Sequence, residues 1–154
     1  MKRLLKILAL FAAAGFIAIQ FIRPDFTNPP IVPGQPIEST TAVPAEVQMV
    51  LSNSCSDCHS NKTIHPWYAQ IAPSSWFLAG HISDGRKELN FSEWNTYSVD
   101  RKVRKLDEIC EMVGSGQMPL PSYLWLHRDA ELEHTQRQLL CDWATAEGRR
   151  LSGT

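Results

Sequence analysis

The sequence predicts an all-α domain with long loops, and three observations support this fold class. Four stretches place apolar residues three or four positions apart, which is the spacing of one helix face. No stretch shows the alternation of apolar and polar residues that a half-buried strand requires. Segments rich in glycine and proline lie outside these stretches and cannot continue a helix. The chain of 154 residues has room for one ordinary domain plus an extension.

The first 23 residues, MKRLLKILALFAAAGFIAIQFIR, predict a membrane anchor. The cations Lys2, Arg3 and Lys6 come ahead of a long uncharged run. A helix from Leu4 to the end of that run would be roughly 28 Å long, close to the hydrocarbon thickness of about 30 Å. A cleaved signal peptide and a buried core helix are the alternatives. By the positive-inside rule the rest of the chain lies across the membrane, so we expect the domain in the periplasm at a bacterial inner membrane.

Residues 24–44 hold six of the ten prolines and show no apolar periodicity. Such a composition favours an extended tether between the anchor and the domain. The alternative is an arm folded over the domain, because Phe26, Ile31 and Val32 are apolar enough to pack. The domain itself is then expected over residues 45–154.

Four helices are predicted within the domain. The first covers residues 45–51, where Val47, Val50 and Leu51 fall at positions i, i+3 and i+4. The other three are expected over about residues 74–86, 100–113 and 133–147. Gly114 and Gly116 predict the end of the helix over residues 100–113.

The stretch Cys55-Ser56-Asp57-Cys58-His59 has the C-x-x-C-H spacing of a c-type haem attachment. One helical turn brings two thiols to the two vinyl groups on one porphyrin edge and directs the next imidazole toward the iron. We therefore expect one covalently attached haem c per chain, with His59 as an axial ligand. Covalent attachment takes place on the exported side, in agreement with the N-terminal segment. A zinc site, a thioredoxin-like redox pair and a plain disulfide are the alternatives.

The iron needs a second axial ligand, and Met118 is the favoured one. It lies in the loop GSGQMPLPSYLWLH, free of helical direction, and a thioether there would complete a low-spin His/Met haem. Met49 is too close to the motif to reach the opposite face, and Met112 is expected to fill space in the core. His65 and His81 remain alternative ligands.

Aromatic residues follow the motif closely, and Trp67, Tyr68 and Trp76 are expected to contact the haem. An ordinary aromatic core is the alternative explanation for them. A ligating histidine usually donates its second N–H to an oxygen. We predict the Pro73 carbonyl as the acceptor from His59, because the proline ring stiffens that loop.

The other two cysteines, Cys110 and Cys141, lie on the apolar sides of predicted helices. In an oxidising compartment such thiols form a disulfide. Two buried free thiols, packed as small apolar side chains, are the alternative.

Several segments together resemble the small haem-binding domain proteins related to monohaem cytochrome c. They are CSDCHSNKTIHPWYAQIAPSSW, HISDGRKELNFSEW, KLDEICEMVGSGQMPLPSYLWLH and LLCDWA, with QFIRP at the end of the export segment. The resemblance implies a cytochrome-c-like helical fold, haem c on Cys55 and Cys58, His59 as proximal ligand and Met118 as distal ligand. One departure is Glu133, where Ser or Thr is expected to cap the last helix, so only that helix start is left open.

The charge and the motif together restrict the function. A net charge of −1 and a pI near 6.5 give no basic field, which excludes nucleic acid as an expected partner. We expect a membrane-tethered carrier of one electron between a donor and an acceptor redox protein, and not an enzyme. The alternatives are a haem sensor in which a diatomic ligand displaces Met118, and a peroxidase-like enzyme. For an enzyme, His81 with Arg86 is the only pair that suits a distal acid/base.

Overall fold

The computed structural model describes residues 1–153, and each regular element in that range is helical. The α-helices are α1 (Lys2–Ile19), α2 (Ala45–Ser54), α3 (Ser56–His59), α4 (Ser74–Glu88), α5 (Val99–Gly114), α6 (Pro121–Leu124) and α7 (His134–Ser152). Short 3₁₀ helices cover Ile37–Ser39, Trp67–Gln70, Phe91–Thr96 and Arg128–Ala130. The predicted all-α class is confirmed.

The four predicted helices are present as α2, α4, α5 and α7, with ends that differ by a few residues. The start of α7, left open by Glu133, is a capping box. The backbone N–H of Glu133 donates to Oε1 of Gln136 at 2.9 Å. Glu133 therefore takes the capping place for which a Ser or Thr was expected.

The core lies between α5 and α7, with α2 packed against α7. Leu106 on α5 and Leu140 on α7 are fully enclosed, as is Val47 on α2. These residues come from the apolar faces that the helical periodicity predicts. The long helix pair therefore forms the scaffold on which the rest of the domain is built.

A disulfide between Cys110 and Cys141 joins α5 to α7, with the two Cα atoms 4.7 Å apart. The structure thus selects the disulfide over the alternative of two free thiols. The bond closes a loop with a sequence separation of 31 residues. Constraining a loop of that length in the unfolded chain stabilises the fold by roughly 3–4 kcal/mol on the chain-entropy model.

Residues 24–44, called the strap below, have an extended backbone but are packed against the domain. Ile37 is 1% exposed and belongs to the main core cluster. The side-chain amide of Asn95 donates to the carbonyls of Gly34 and Pro36. The strap is therefore a folded arm, which was the alternative, and not a free tether. It is held by the buried side chain of Ile37 and by the hydrogen bonds from Asn95.

The prediction that the N-terminal segment spans a membrane is not supported. Within residues 1–153, none of the helices has the length and apolar character needed to cross a bilayer. Helix α1 ends at Ile19 after 18 residues, and Lys2, Arg3 and Lys6 are part of it. The uninterrupted apolar stretch is therefore shorter than the segment as a whole.

Candidate haem site

The C-x-x-C-H residues form one turn that follows α2, with Cys55 as the N-cap of α3 and the other four residues within that helix. The backbone N–H groups of Cys58 and His59 both donate to the carbonyl of Cys55, at 3.2 and 3.0 Å. Both thiols of the motif are free, in contrast to the Cys110–Cys141 pair. The local fold therefore presents two thiols and an imidazole on a single turn, as the spacing predicts.

Burial controls the chemistry of the two free thiols. It raises the pKa of Cys55 to about 12, with a smaller contribution from Cys58. It raises the pKa of Cys58 to about 11, and the charge of Asp57 adds to that effect. With nothing bound, both side chains are thus neutral thiols at pH 7. Residues 1–153 contain no group of three or more His, Cys, Asp or Glu side chains placed to share a metal ion.

The imidazole of His59 is oriented by the carboxyl end of α4. Its Nδ1 lies 3.0 Å from the carbonyl oxygens of both Gly85 and Leu89. Because carbonyls only accept, Nδ1 carries the proton and Nε2 keeps its lone pair. Burial lowers the pKa of His59 in spite of the opposing effect of these two hydrogen bonds, so the ring is neutral at pH 7. A neutral imidazole fixed through Nδ1 is the state in which histidine binds a metal.

The prediction that Pro73 accepts the His59 hydrogen bond is wrong. Its carbonyl instead accepts from the backbone N–H groups of Trp76 and Phe77, at 3.1 and 3.3 Å. Pro73 is the N-cap of α4, so its oxygen is used by the first turn of that helix. The motif reaches the other end of α4, where a Cβ on Gly85 would lie 2.7 Å from the Cys58 carbonyl oxygen.

Two apolar cavities adjoin the motif, with volumes of about 320 and 610 Å³. Both fall in the range of roughly 300–1,000 Å³ that is usual for ligand pockets. Phe91 lines the smaller cavity, and its ring lies edge-on to that of His59 with centroids 6.3 Å apart. The residues that line both cavities are Ser54, Cys55, His59, Glu88, Met118 and Pro119.

Met118 is the predicted sixth ligand that the structure places with His59 at both cavities. Met112 lines only the smaller cavity, and His81 lines only the larger. Met49 is 64% exposed and, like His65, lines neither. A thioether and an imidazole therefore both line each of the two cavities.

These side chains fit a haem, which needs an apolar enclosure, an imidazole with a free lone pair and, for covalent attachment, two thiols. The comparison with known families gives the same result: the model of the haem-binding domain family matches residues 14–146, which is most of the chain. The chain belongs to the haem-binding domain family. Neither the curated proteins nor the solved structures include a match to it.

Of the aromatic residues predicted to contact the haem, only Tyr68 lines a haem cavity. Trp67 is 74% exposed, and neither it nor Trp76 lines either cavity. The indole N–H of Trp76 donates to the carbonyl of Ile22 at 2.7 Å, so that side chain holds the end of the N-terminal segment. Pro73 also lies away from both cavities.

Sequence reasoning missed most of the apolar lining of the haem cavities. The additional residues include Leu51, Leu89, Ile109, Leu132, Phe77, Leu78, Tyr123, Trp125 and Leu126. One signal was available in the sequence, because Phe77 and His81 are four residues apart and so share one face of a helix. In the structure their rings are 4.1 Å apart. The segment YLWL after Met118 is a second signal, since four apolar residues in a loop indicate packing.

The pair expected of a peroxidase-like site is not assembled at the haem cavities. His81 lines the larger cavity, whereas Arg86 lines neither. The Arg86 guanidinium donates to the Ser60 carbonyl and to side-chain oxygens of Asn28 and Thr63. It therefore ties the strap to the segment that follows the motif.

Proposed function

We propose that this haem-binding protein is a c-type cytochrome, similar in arrangement to monohaem cytochrome c, that carries one electron between two redox proteins. The observation that carries the proposal is that His59 and Met118 line both cavities beside the two motif thiols. Haem iron supplies a reversible one-electron couple, and His/Met ligation raises its potential. The chain would act as a carrier and not as an enzyme, because His59 and Met118 would both bind the iron and leave no position open for a substrate.

Cys55 and Cys58 would attach one haem through two thioether bonds. In each bond the sulfur joins one carbon of a vinyl group and the thiol hydrogen goes to the other carbon, so the addition requires no oxidant. The single turn that joins the two cysteines fixes the spacing of the two bonds.

His59 and Met118 would then both bind the iron. The Gly85 and Leu89 carbonyls keep the imidazole in one orientation and raise its basicity as a ligand. Met118 is held near the end of α5, where its N–H donates to the Met112 carbonyl at 3.1 Å. The apolar lining around both side chains would exclude water from a bound haem and so would keep the change in solvation on electron transfer small.

We further propose that the domain lies in the periplasm at the bacterial inner membrane. The Cys110–Cys141 disulfide supports this location, because disulfides persist in oxidising compartments. Helix α1 supports contact with the membrane, since it has no buried residue and exposes leucine, isoleucine and phenylalanine side chains. Gln20 exchanges two hydrogen bonds with the backbone of Ala72, so the end of this segment is attached to the haem domain.

The test of the function is the substitution Met118→Ala, with Met112→Ala as the matched control. We expect the wild-type ferric protein to be low-spin and to show the weak near-infrared band of a sulfur-to-iron(III) bond. Met118→Ala should lose that band, lower the reduction potential and let carbon monoxide bind the ferrous protein quickly. Met112→Ala should keep the band and the potential.

Two results would contradict the proposal. If Met118→Ala keeps the native spectrum and potential, the sixth ligand is another side chain, and His81 at the larger cavity is the next to substitute. If the wild-type ferrous protein binds carbon monoxide as fast as Met118→Ala, the iron is open, and the protein is a sensor of diatomic ligands instead of a carrier.

A further inference from the structure

One side-chain hydrogen bond joins the loop after Met118 to the C-x-x-C-H turn. The hydroxyl of Tyr123, on α6, donates to Oδ2 of Asp57 at 2.9 Å. Asp57 stands between Cys55 and Cys58, and Tyr123 is five residues after Met118. The bond therefore connects the two segments that carry the two proposed iron ligands.

The acceptor in this bond is fixed by its own partners. The other carboxylate oxygen of Asp57 accepts from the Ile64 N–H at 3.1 Å, and its carbonyl accepts from the Thr63 hydroxyl at 2.7 Å. A hydrogen bond to a carboxylate is about twice as strong as one between neutral groups. The Tyr123 hydroxyl thus has a rigid and charged anchor on the turn.

The donor is held just as firmly. The ring of Tyr123 is stacked on that of His127, with centroids 4.1 Å apart and planes 4° from parallel. Nε2 of His127 is 2.8 Å from the hydroxyl of Tyr68, which lines the same cavity as Tyr123. Burial, together with the nearby Asp57 carboxylate, raises the pKa of Tyr123, so its hydroxyl keeps the proton that it donates.

The bond has no substitute among residues 1–153. No other side-chain hydrogen bond in that range joins residues 117–127 to α3. The backbone bonds of Tyr123 and Leu124 are local, both to the Leu120 carbonyl. Without the Tyr123 hydroxyl, the loop would be held to the turn by packing alone.

We propose that Tyr123 is a positioning residue that latches the Met118 loop to the C-x-x-C-H turn and so sets how readily the Met118 sulfur leaves the iron. The inference rests on the proposed His59/Met118 ligation. It concerns the rate at which Met118 would leave the iron and let an outside ligand such as carbon monoxide bind. The identity of the two ligands does not determine that rate.

The test is Tyr123→Phe, which removes the hydroxyl and keeps the stacked ring. Tyr97→Phe is the control, because its hydroxyl also makes one hydrogen bond, in this case accepting from the backbone N–H of Asn90 at 2.9 Å, yet Tyr97 lines neither haem cavity. Carbon monoxide binding to the ferrous haem-loaded protein is timed in each. We expect Tyr123→Phe to bind about tenfold faster than wild type, equivalent to ~1.4 kcal/mol, and Tyr97→Phe to match wild type. The near-infrared band should remain in both variants, since Met118 is still present.

A second variant, Asp57→Asn, keeps an acceptor oxygen but removes its charge. We expect it to accelerate carbon monoxide binding less than Tyr123→Phe does. The double variant should bind no faster than Tyr123→Phe, because both changes act on one bond. If Tyr123→Phe fails to fold, the rate of carbon monoxide binding to Asp57→Asn tests the proposal instead.

The proposed role of Tyr123 is contradicted if Tyr123→Phe and Asp57→Asn both bind carbon monoxide at the wild-type rate. It is also contradicted if the increase in rate in the double variant is the product of the two single increases. Such a result leaves the His59/Met118 assignment intact when the wild-type protein shows the near-infrared band. If the wild-type band is absent, the proposed ligation has failed, and the latch fails with it because it has no sulfur to hold.

Discussion

His59 and Gly85 show how closely the motif is fitted to α4. The imidazole donates toward the carbonyls of Gly85 and Leu89, one turn apart at the end of that helix. Reaching them requires the backbone of α4 to touch the Cys58 peptide. Glycine permits this contact because it has no side chain in the way.

Substitution Gly85→Ala should therefore disturb both the fold and the site. The new Cβ would lie 2.7 Å from the Cys58 oxygen, so α4 has to move away and the His59 hydrogen bonds lengthen. We expect a loss of about 1–3 kcal/mol in the free energy of unfolding, the usual cost of overpacking. Denaturant unfolding of the haem-loaded protein measures it.

The matched control is Gly80→Ala on the same helix, where an added Cβ meets no atom within 4 Å. Alanine is the better helix former, so this change should stabilise the protein by up to about 1 kcal/mol. Equal effects of the two substitutions would show that the close approach of α4 to the motif is not a constraint.

At this scale the sequence predicted the turn that holds the motif better than the contacts that support it. The spacing of Cys55, Cys58 and His59 needs one helical turn, which local structure supplies. Pro73 failed as an acceptor because a sequence does not show which end of α4 faces the imidazole. Phe77 and Tyr123 were missed for the same reason, since contacts across the cavity depend on how helices pack.

Among the elements, the strap adds most to what composition predicts. Six prolines explain its extended backbone, but they do not show that Ile37 enters the core beside Trp94 and Leu106. The strap also bonds to Asn95 through the carbonyls of Gly34 and Pro36. Residues ahead of the predicted domain thus contribute to its stability.

The substitution Ile37→Ala tests this contribution. Ile37 is 1% exposed, and removing a buried isoleucine side chain costs about 2–5 kcal/mol. Ile31→Ala is the control on the same strap, since Ile31 is 44% exposed and surface changes usually stay within about 0.5 kcal/mol. Chemical denaturation of the two variants gives both values. A loss for Ile37→Ala as small as for Ile31→Ala would mean that the strap is only loosely attached.

The helices themselves were predicted well because their apolar periodicity is local. Helix α5, for example, was expected over residues 100–113 and covers Val99–Gly114. The N-terminal helix was predicted as a membrane span from its length and composition, yet α1 ends at Ile19 and includes three cations. Directly after α1, Gln20 exchanges two hydrogen bonds with Ala72, a contact between residues 52 positions apart that the local pattern does not show.

In the molecule as a whole, the rigid scaffold and the ligand loop are separate. The disulfide and the enclosed core fix α5 to α7, while both cavities adjoin the C-x-x-C-H turn and the loop that carries Met118. A haem in those cavities would supply the apolar centre that binds turn, loop and scaffold together. Such an arrangement lets a short chain enclose much more apolar surface than its own side chains provide.

We propose that this centre is a haem bound covalently through Cys55 and Cys58, and extraction of the denatured protein shows whether the bonds exist. The chain is produced in a host able to mature c-type cytochromes, extracted with acid and organic solvent, and stained on a denaturing gel for haem-linked peroxidase activity. We expect the wild-type polypeptide to keep the stain, Cys55→Ala/Cys58→Ala to lose it, and Cys110→Ala/Cys141→Ala to keep it. A wild-type polypeptide that releases all of its haem into the solvent would show that Cys55 and Cys58 form no covalent bond to it.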